Sequence, residues 1–185
     1  MGYLSFTMTL LKLKETFPST AGTSFIAENA FLIGNVTVGP RSSIWYGCNI
    51  RGDVNYIKIG SYTNIQDCTM IHVSHGEKGH TEIGSYVTVG HQCLLHACTL
   101  MDETFVGMGT IIMDGAIMES GSMVAAGSLV TSNKRIKSGE LWLGRPAKFV
   151  RILTTEEISH IRESAIRYAG LAEEYIKDLS NKTIF

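Results

Sequence analysis

Residues 106–118 read Val106-Gly107-Met108-Gly109-Thr110-Ile111-Ile112-Met113-Asp114-Gly115-Ala116-Ile117-Met118, and their period decides the fold. Aliphatic anchors stand six apart at Val106, Ile112 and Met118, with a small residue, Thr110 or Ala116, four after an anchor. The spacing continues forward through Val124 and Val130 and backward to Leu100. Earlier it runs through Ile26, Leu32, Val38, Ile44 and Ile50, then Ile59, Ile65 and Ile71, then Ile83, Val89 and Leu95. The other small partners are Ala30, Val36, Ser42, Cys48, Val54, Thr63, Thr69, Val87, Cys93, Thr99, Thr104, Ser122 and Ser128. A helix needs spacings of three and four, and a hairpin sheet does not hold a strict six. One large and one small inward residue per hexad suits a triangular coil of three short strands around a narrow interior. Coils stacked in parallel satisfy one another's backbone groups. The chain therefore reads as mainly β, a parallel β-helix of five to six coils over 21–145, preceded by an N-terminal segment, 1–20.

The tail changes period. Ile158, Ile161, Ala165, Tyr168, Ala172, Tyr175 and Leu179 alternate spacings of three and four, one helical stripe. Thr154 and Glu157 form a capping box at its start. Pro146 marks the break, so 146–185 reads as a linker and a C-terminal α-helix. That helix is expected along the outside of the coils, against its own or a neighbouring subunit.

Composition narrows the function. Of 185 residues, 44% are hydrophobic, enough for a sizeable core. Sixteen basic and seventeen acidic residues leave a net charge of −1 with no block of like charge. That balance excludes a dedicated nucleic-acid or anionic-membrane surface. No apolar run is long enough to span a bilayer as a helix. Met1–Leu13 lacks the features of a secretory signal, Phe6 breaks the myristoylation pattern that Gly2 could open, and Met8 is an alternative start. Cys48, Cys68, Cys93 and Cys98 show no CxxC spacing and read as reduced, small apolar residues of a cytoplasmic protein.

The interruptions of the repeat point to the chemistry. From Ile50 to Ile59 the step is nine, so three residues loop out. From Ile71 to Ile83 it is twelve, and the polar, glycine-rich segment Ser74–His80 reads as a loop inserted into one hexad. With three hexads per coil, anchors 50, 71 and 95 stack, so Arg51, His72 and His96 form one vertical row. Ile65 and Val89 also stack, which puts Asp67 under His91 with Gln66 beside it, one face earlier. His72 and His96, about 4.8 Å apart as neighbouring strands, can share a tetrahedral zinc. His91 lies a whole strand away, roughly 15 Å, and reaches that metal only from an adjacent subunit. A head-to-tail interface on a three-sided prism closes as a cyclic trimer. His75 and His80 read as solvated loop residues.

At this point the chain resembles a known family. Ile50-Arg51-Gly52-Asp53, Asn64-Ile65-Gln66-Asp67, Ile71-His72, Val89-Gly90-His91 and Leu95-His96 resemble the gamma-class carbonic anhydrases and their bacterial relatives, over nearly the whole chain. The resemblance implies a left-handed coil and a homotrimer with a metal at each interface, held by His72 and His96 of one chain and His91 of the next. It also implies Arg51 and Asp53 as site-organising residues, Gln66 beside the metal's solvent, and Asn64 and Asp67 in the polar network. Two positions depart from the archetype: Val54 stands where a site glutamate is expected, and the loop after His72 lacks the acidic proton-shuttle segment. His75 is a candidate substitute shuttle.

Four functions follow for test. The first is reversible hydration of carbon dioxide, in which Zn2+ (with Fe2+ or Co2+ as alternatives) acidifies water to a pKa of about 7. The second is an acyl-CoA thioesterase at the same metal. The third is a metal-free acyltransferase using one histidine as base. The last is a metal-stabilised trimeric scaffold.

Overall fold

The computed structural model describes residues 9–180. The readings on Met1–Met8, namely the alternative start and the signal and myristoylation patterns, lie outside them. The chain forms a parallel β-solenoid of seven turns with one C-terminal helix. Seven rungs replace the expected five to six because Leu10–Leu11 and Ser19–Thr20 pair in parallel with Phe31–Val38 and add a turn at the start. At the other end Glu140–Gly144 adds a rung and then hairpins back on Ala147–Ile152. Among the described residues no helix is long and apolar enough to cross a membrane.

Three faces wind around one interior. The first carries Phe25–Ile26, Ser43–Ile44, Asn64–Ile65, Thr88–Val89, Phe105–Val106 and Met123–Val124. The second carries the opening residues of Phe31–Val38 and Asn49–Ile59, then Met70–His72, Leu94–His96, Ile111–Ile112 and Leu129–Val130. The third takes the closing residues of those two long strands, then Thr81–Ile83, Thr99–Leu100, Ile117–Met118 and Arg135–Ile136. The anchors interlock as counted: Ile50 pairs with Ile71 and Ile71 with Leu95 on the second face, and Ile65 with Val89 on the first.

Anchors such as Leu32, Ile50, Ile71, Leu95 and Ile112 have no solvent exposure. Burying each side chain contributes about 1.5–3 kcal/mol. The small inward residues are often hydroxylated because their oxygens find backbone carbonyls of the next coil: Ser42 Oγ donates to Gly60 O at 2.6 Å and Thr63 Oγ1 to Gly84 O at 2.8 Å. Two small positions differ from expectation. Val54 is exposed because it sits in the three-residue excursion. Thr99 is only half-buried because the corner from Leu95 to Leu100 is one residue short, and Cys98 takes the inward place.

Most corners place one residue in left-handed backbone. Late turns use glycine, as at Gly109, Gly115, Gly121 and Gly127 with φ near 70°. Early turns force Arg41, Tyr62, Cys68, Tyr86 and Gln92 into that region. Cys68 is accordingly exposed at a corner, whereas Cys48, Cys93 and Cys98 are buried and apolar in role. All four cysteines are unpaired.

The helix, Thr155–Ser180, starts with the expected box: Glu157 N–H donates to Thr154 Oγ1 at 3.2 Å, and Thr154 N–H to Glu157 Oε2 at 2.9 Å. It packs on the first face of its own chain, through Ile161, Ala165, Ala169 and Ala172. Trp45 meets Tyr168 and Tyr175 edge-on, with centroids 5.8 and 5.1 Å away. Two ion pairs clip it down, Arg41 to Glu173 and Arg162 to Glu103. Of the expected stripe, Tyr175 packs on Trp45 and Phe25 but keeps 37% of its surface exposed, and Leu179 is exposed.

Candidate metal centre

Two rows of polar residues stand at the two edges of the second face. At its far edge, the parallel register puts His72 directly opposite His96. The rings approach so that His72 Nδ1 lies 3.2 Å from His96 Nε2. The outer nitrogens are each held by a carboxylate. Asp53 Oδ1 is 3.0 Å from His72 Nε2, and Asp114 Oδ1 is 2.7 Å from His96 Nδ1. Arg51 pairs with Asp53 from the same strand. Burial alone would raise the Asp53 carboxyl, but the hydrogen bond from His72 and the Arg51 guanidinium outweigh it and hold the acid below its usual range.

At the near edge, Asp67 Oδ2 lies 2.9 Å from His91 Nδ1, one coil apart as the spacing required. Gln66 and Asn64 beside them are buried. Gln66 Nε2 donates to Asn64 Oδ1 at 3.0 Å, and Asn64 Nδ2 donates to Thr88 Oγ1 at 2.9 Å. The helix's Ser164 Oγ lies 3.5 Å from that hydroxyl, so the tail backs the network.

The fold thus joins Arg51, Asp53, His72 and His96 in one group and Asn64, Gln66, Asp67 and His91 in another, and does not join the groups within one chain. Among the described residues no three His, Cys, Asp or Glu side chains converge as a metal-binding cluster. The donor set still fits an ion. A carboxylate only accepts, so each outer nitrogen carries the hydrogen, and in the neutral imidazoles each inner nitrogen then presents a lone pair. Two lone pairs 3.2 Å apart repel unless a cation lies between them. Two nitrogens bound tetrahedrally at about 2.0–2.1 Å from zinc are themselves about 3.3 Å apart.

Asp114 was not among the residues singled out in sequence. The signal existed: Ile112 pairs with Leu95, so Met113 falls opposite His96 and Asp114 one residue further along the next coil. The loop also differs from expectation. Asn55 Nδ2 donates to Gly76 O at 2.8 Å, and Tyr56 stacks on His80 with ring centroids 4.8 Å apart. His80 is therefore a half-buried packing residue, while His75 is exposed as expected.

A three-sided solenoid of hexapeptide repeats with carboxylate-held histidines at its corners defines the structural class. A solved hexapeptide transferase family protein from Anaplasma phagocytophilum has a TM-score of 0.87 at 53% identity, covering 90% of this chain and 98% of that one. The probable carbonic anhydrase of Methanocaldococcus jannaschii is 53% identical over 148 residues, 80% of this chain and 92% of that protein. Gamma carbonic anhydrase 1, mitochondrial, from Arabidopsis thaliana is 48% identical over 90% of this chain, which spans 62% of that relative's length. No protein-family model matches. The chain belongs to the family of gamma carbonic anhydrases and carbonic anhydrase-like proteins.

Proposed function

We propose that the chain assembles as a homotrimer and catalyses reversible hydration of carbon dioxide, with a zinc ion held by His72, His96 and His91 of the partner subunit. The observation that carries this is the pair of facing imidazole nitrogens, 3.2 Å apart and each backed by a carboxylate. Such an ion supplies Lewis acidity and a water acidified to near neutral pH. Its family relatives named carbonic anhydrase support the substrate.

The chain's residues divide the remaining work. Asp53 orients His72, and Arg51 beside it keeps that carboxylate ionised and faces the neighbouring subunit. Asp67 orients His91. The Gln66 amide nitrogen is committed to Asn64, so its Oε1 is the atom offered to the reacting water's hydrogen. His75, exposed on the loop beside this corner, hands protons to solvent. The outward positions of the second face, Phe31, Asn49, Met70, Leu94, Ile111 and Leu129, pair in one register and form a nearly continuous apolar ladder. Met70 and Leu94 are 39% and 40% exposed in the single chain, which supports burial against another copy. The unpaired cysteines support a reducing compartment, with the cytoplasm the simplest choice.

Stopped-flow hydration by zinc-loaded protein is the test. Rates above buffer that vanish in His96→Ala support the proposal, and rates equal to buffer with bound zinc overturn it. A second reading of the same site is hydrolysis of acyl thioesters, which would use the same metal-acidified water on a thioester carbonyl. Release of free thiol from acyl-CoA by a preparation inactive on carbon dioxide would select it.

A further inference from the structure

Asp114 lies on the strand corner one coil beyond His96, outside the motifs that carry the family resemblance. Its backbone is held on both sides: Asn133 N–H donates to Asp114 O at 2.9 Å, and the following Gly115 N–H donates to Ala97 O at 2.7 Å. Gly115 makes that corner in left-handed backbone, φ 69°, which leaves Asp114 a single course past His96. The 2.7 Å contact between Asp114 Oδ1 and His96 Nδ1 is the shortest of the three histidine–carboxylate pairs at the two edges.

We propose that Asp114 is a positioning residue that sets the tautomer and ring plane of His96 so that Nε2 presents its lone pair beside His72 Nδ1. This deepens the metal-site proposal above and rests on it. The hydrogen sits on Nδ1 because an ionised carboxylate can only accept. Without that partner, neutral imidazole redistributes its hydrogen between Nδ1 and Nε2, and the ring is free to turn. Either change removes the convergent lone pairs. A half-exposed His–Asp pair contributes little to folding, so the consequence of losing it falls on the ring's orientation. Outer partners of this kind typically change metal affinity 10–100-fold (about) when removed.

Long-range 1H–15N NMR of metal-free protein reads the tautomer directly, and chelator competition with Zn2+ reads the affinity. The wild type should show His96 as the Nδ1–H form, and Asp114→Ala should give a mixture and bind Zn2+ about 10–100-fold more weakly. Asp114→Asn keeps an acceptor oxygen in the same shape. It should retain the tautomer, recover most of the affinity and restore the Co2+ absorption spectrum that Asp114→Ala alters. An unchanged tautomer with Zn2+ affinity within about two-fold of wild type in Asp114→Ala overturns the proposal. Wild-type protein that binds no Zn2+ overturns the metal-site reading and the purpose assigned here to Asp114. The NMR result distinguishes that failure from the absence of the Asp114–His96 hydrogen bond.

Discussion

The second and third faces of the solenoid are alike inside and unlike outside. Inward, both present stacked aliphatic anchors, Ile50, Ile71 and Leu95 on one and Ile59, Ile83 and Leu100 on the other, all buried. Outward, the second shows Phe31, Asn49, Met70, Leu94, Ile111 and Leu129. The third shows Thr37, Lys58, Glu82, Thr99, Ile117 and Arg135 in register. The first face needs no comparison, since the helix covers it. An equal interior with a different exterior separates two demands on the same strands. The core period builds the coil, and the outward residues decide which face stays in water. The apolar face is also the one bounded by the two histidine rows.

The largest expected effect falls at the edges of that face. His72→Ala or His96→Ala should abolish stoichiometric metal binding, as read by elemental analysis, whereas a change at the third face, Lys58→Ala, should leave it intact. Next comes the face itself. Met70→Glu with Leu94→Glu should convert the proposed trimer to monomers in sedimentation velocity, because paired carboxylates would be stranded at the contact proposed for this face. Thr99→Glu on the third face should leave the mass unchanged. If both doubly charged and third-face variants sediment alike, the outward difference between the faces has no role in assembly.

The interior should not distinguish the faces. Ile71→Ala and Leu100→Ala each remove a fully buried aliphatic side chain and should each cost about 2–5 kcal/mol in urea unfolding. A large disparity would show that the two inner ladders are not equivalent. The smallest effect lies on the helix-covered face. The Arg151 guanidinium and the Thr154 N–H lower the Glu157 carboxyl to about 2 from 4.5. A carboxylate lowered on folding stabilises the native state above its unfolded pKa, and that contribution is lost as the pH falls from about 4.5 through 2. The melting-temperature gap between wild type and Glu157→Gln should therefore be widest near neutrality and close as the pH approaches 2.

Much of the site was legible before any coordinates. Counting hexads put His72 opposite His96 and Asp67 beneath His91, and both pairings are in the register. The twelve-residue step was correctly resolved as a loop, since Met70–His72 on the second face leads straight to Thr81–Ile83 on the third. Three things were not legible. The first turn lacks clean hexads, so Leu10–Leu11 and Ser19–Thr20 join only through their pairing with Phe31–Val38. His80 owes its burial to Tyr56, which an irregular excursion brings alongside. The place of Asp114 on the next coil can be counted, but its contact with His96 Nδ1 is fixed only once that imidazole is oriented.

By itself the amino-acid sequence determined the six-residue period, the inward set and which residues stack one coil apart. Those follow from strand alternation and corner geometry, which repeat locally and add up along the chain. Only the tertiary structure decided which nitrogen of each imidazole meets a carboxylate, which face the helix covers and which apolar face is left open. Those depend on side-chain torsions settled by neighbours a full coil or more away, where no local pattern reaches.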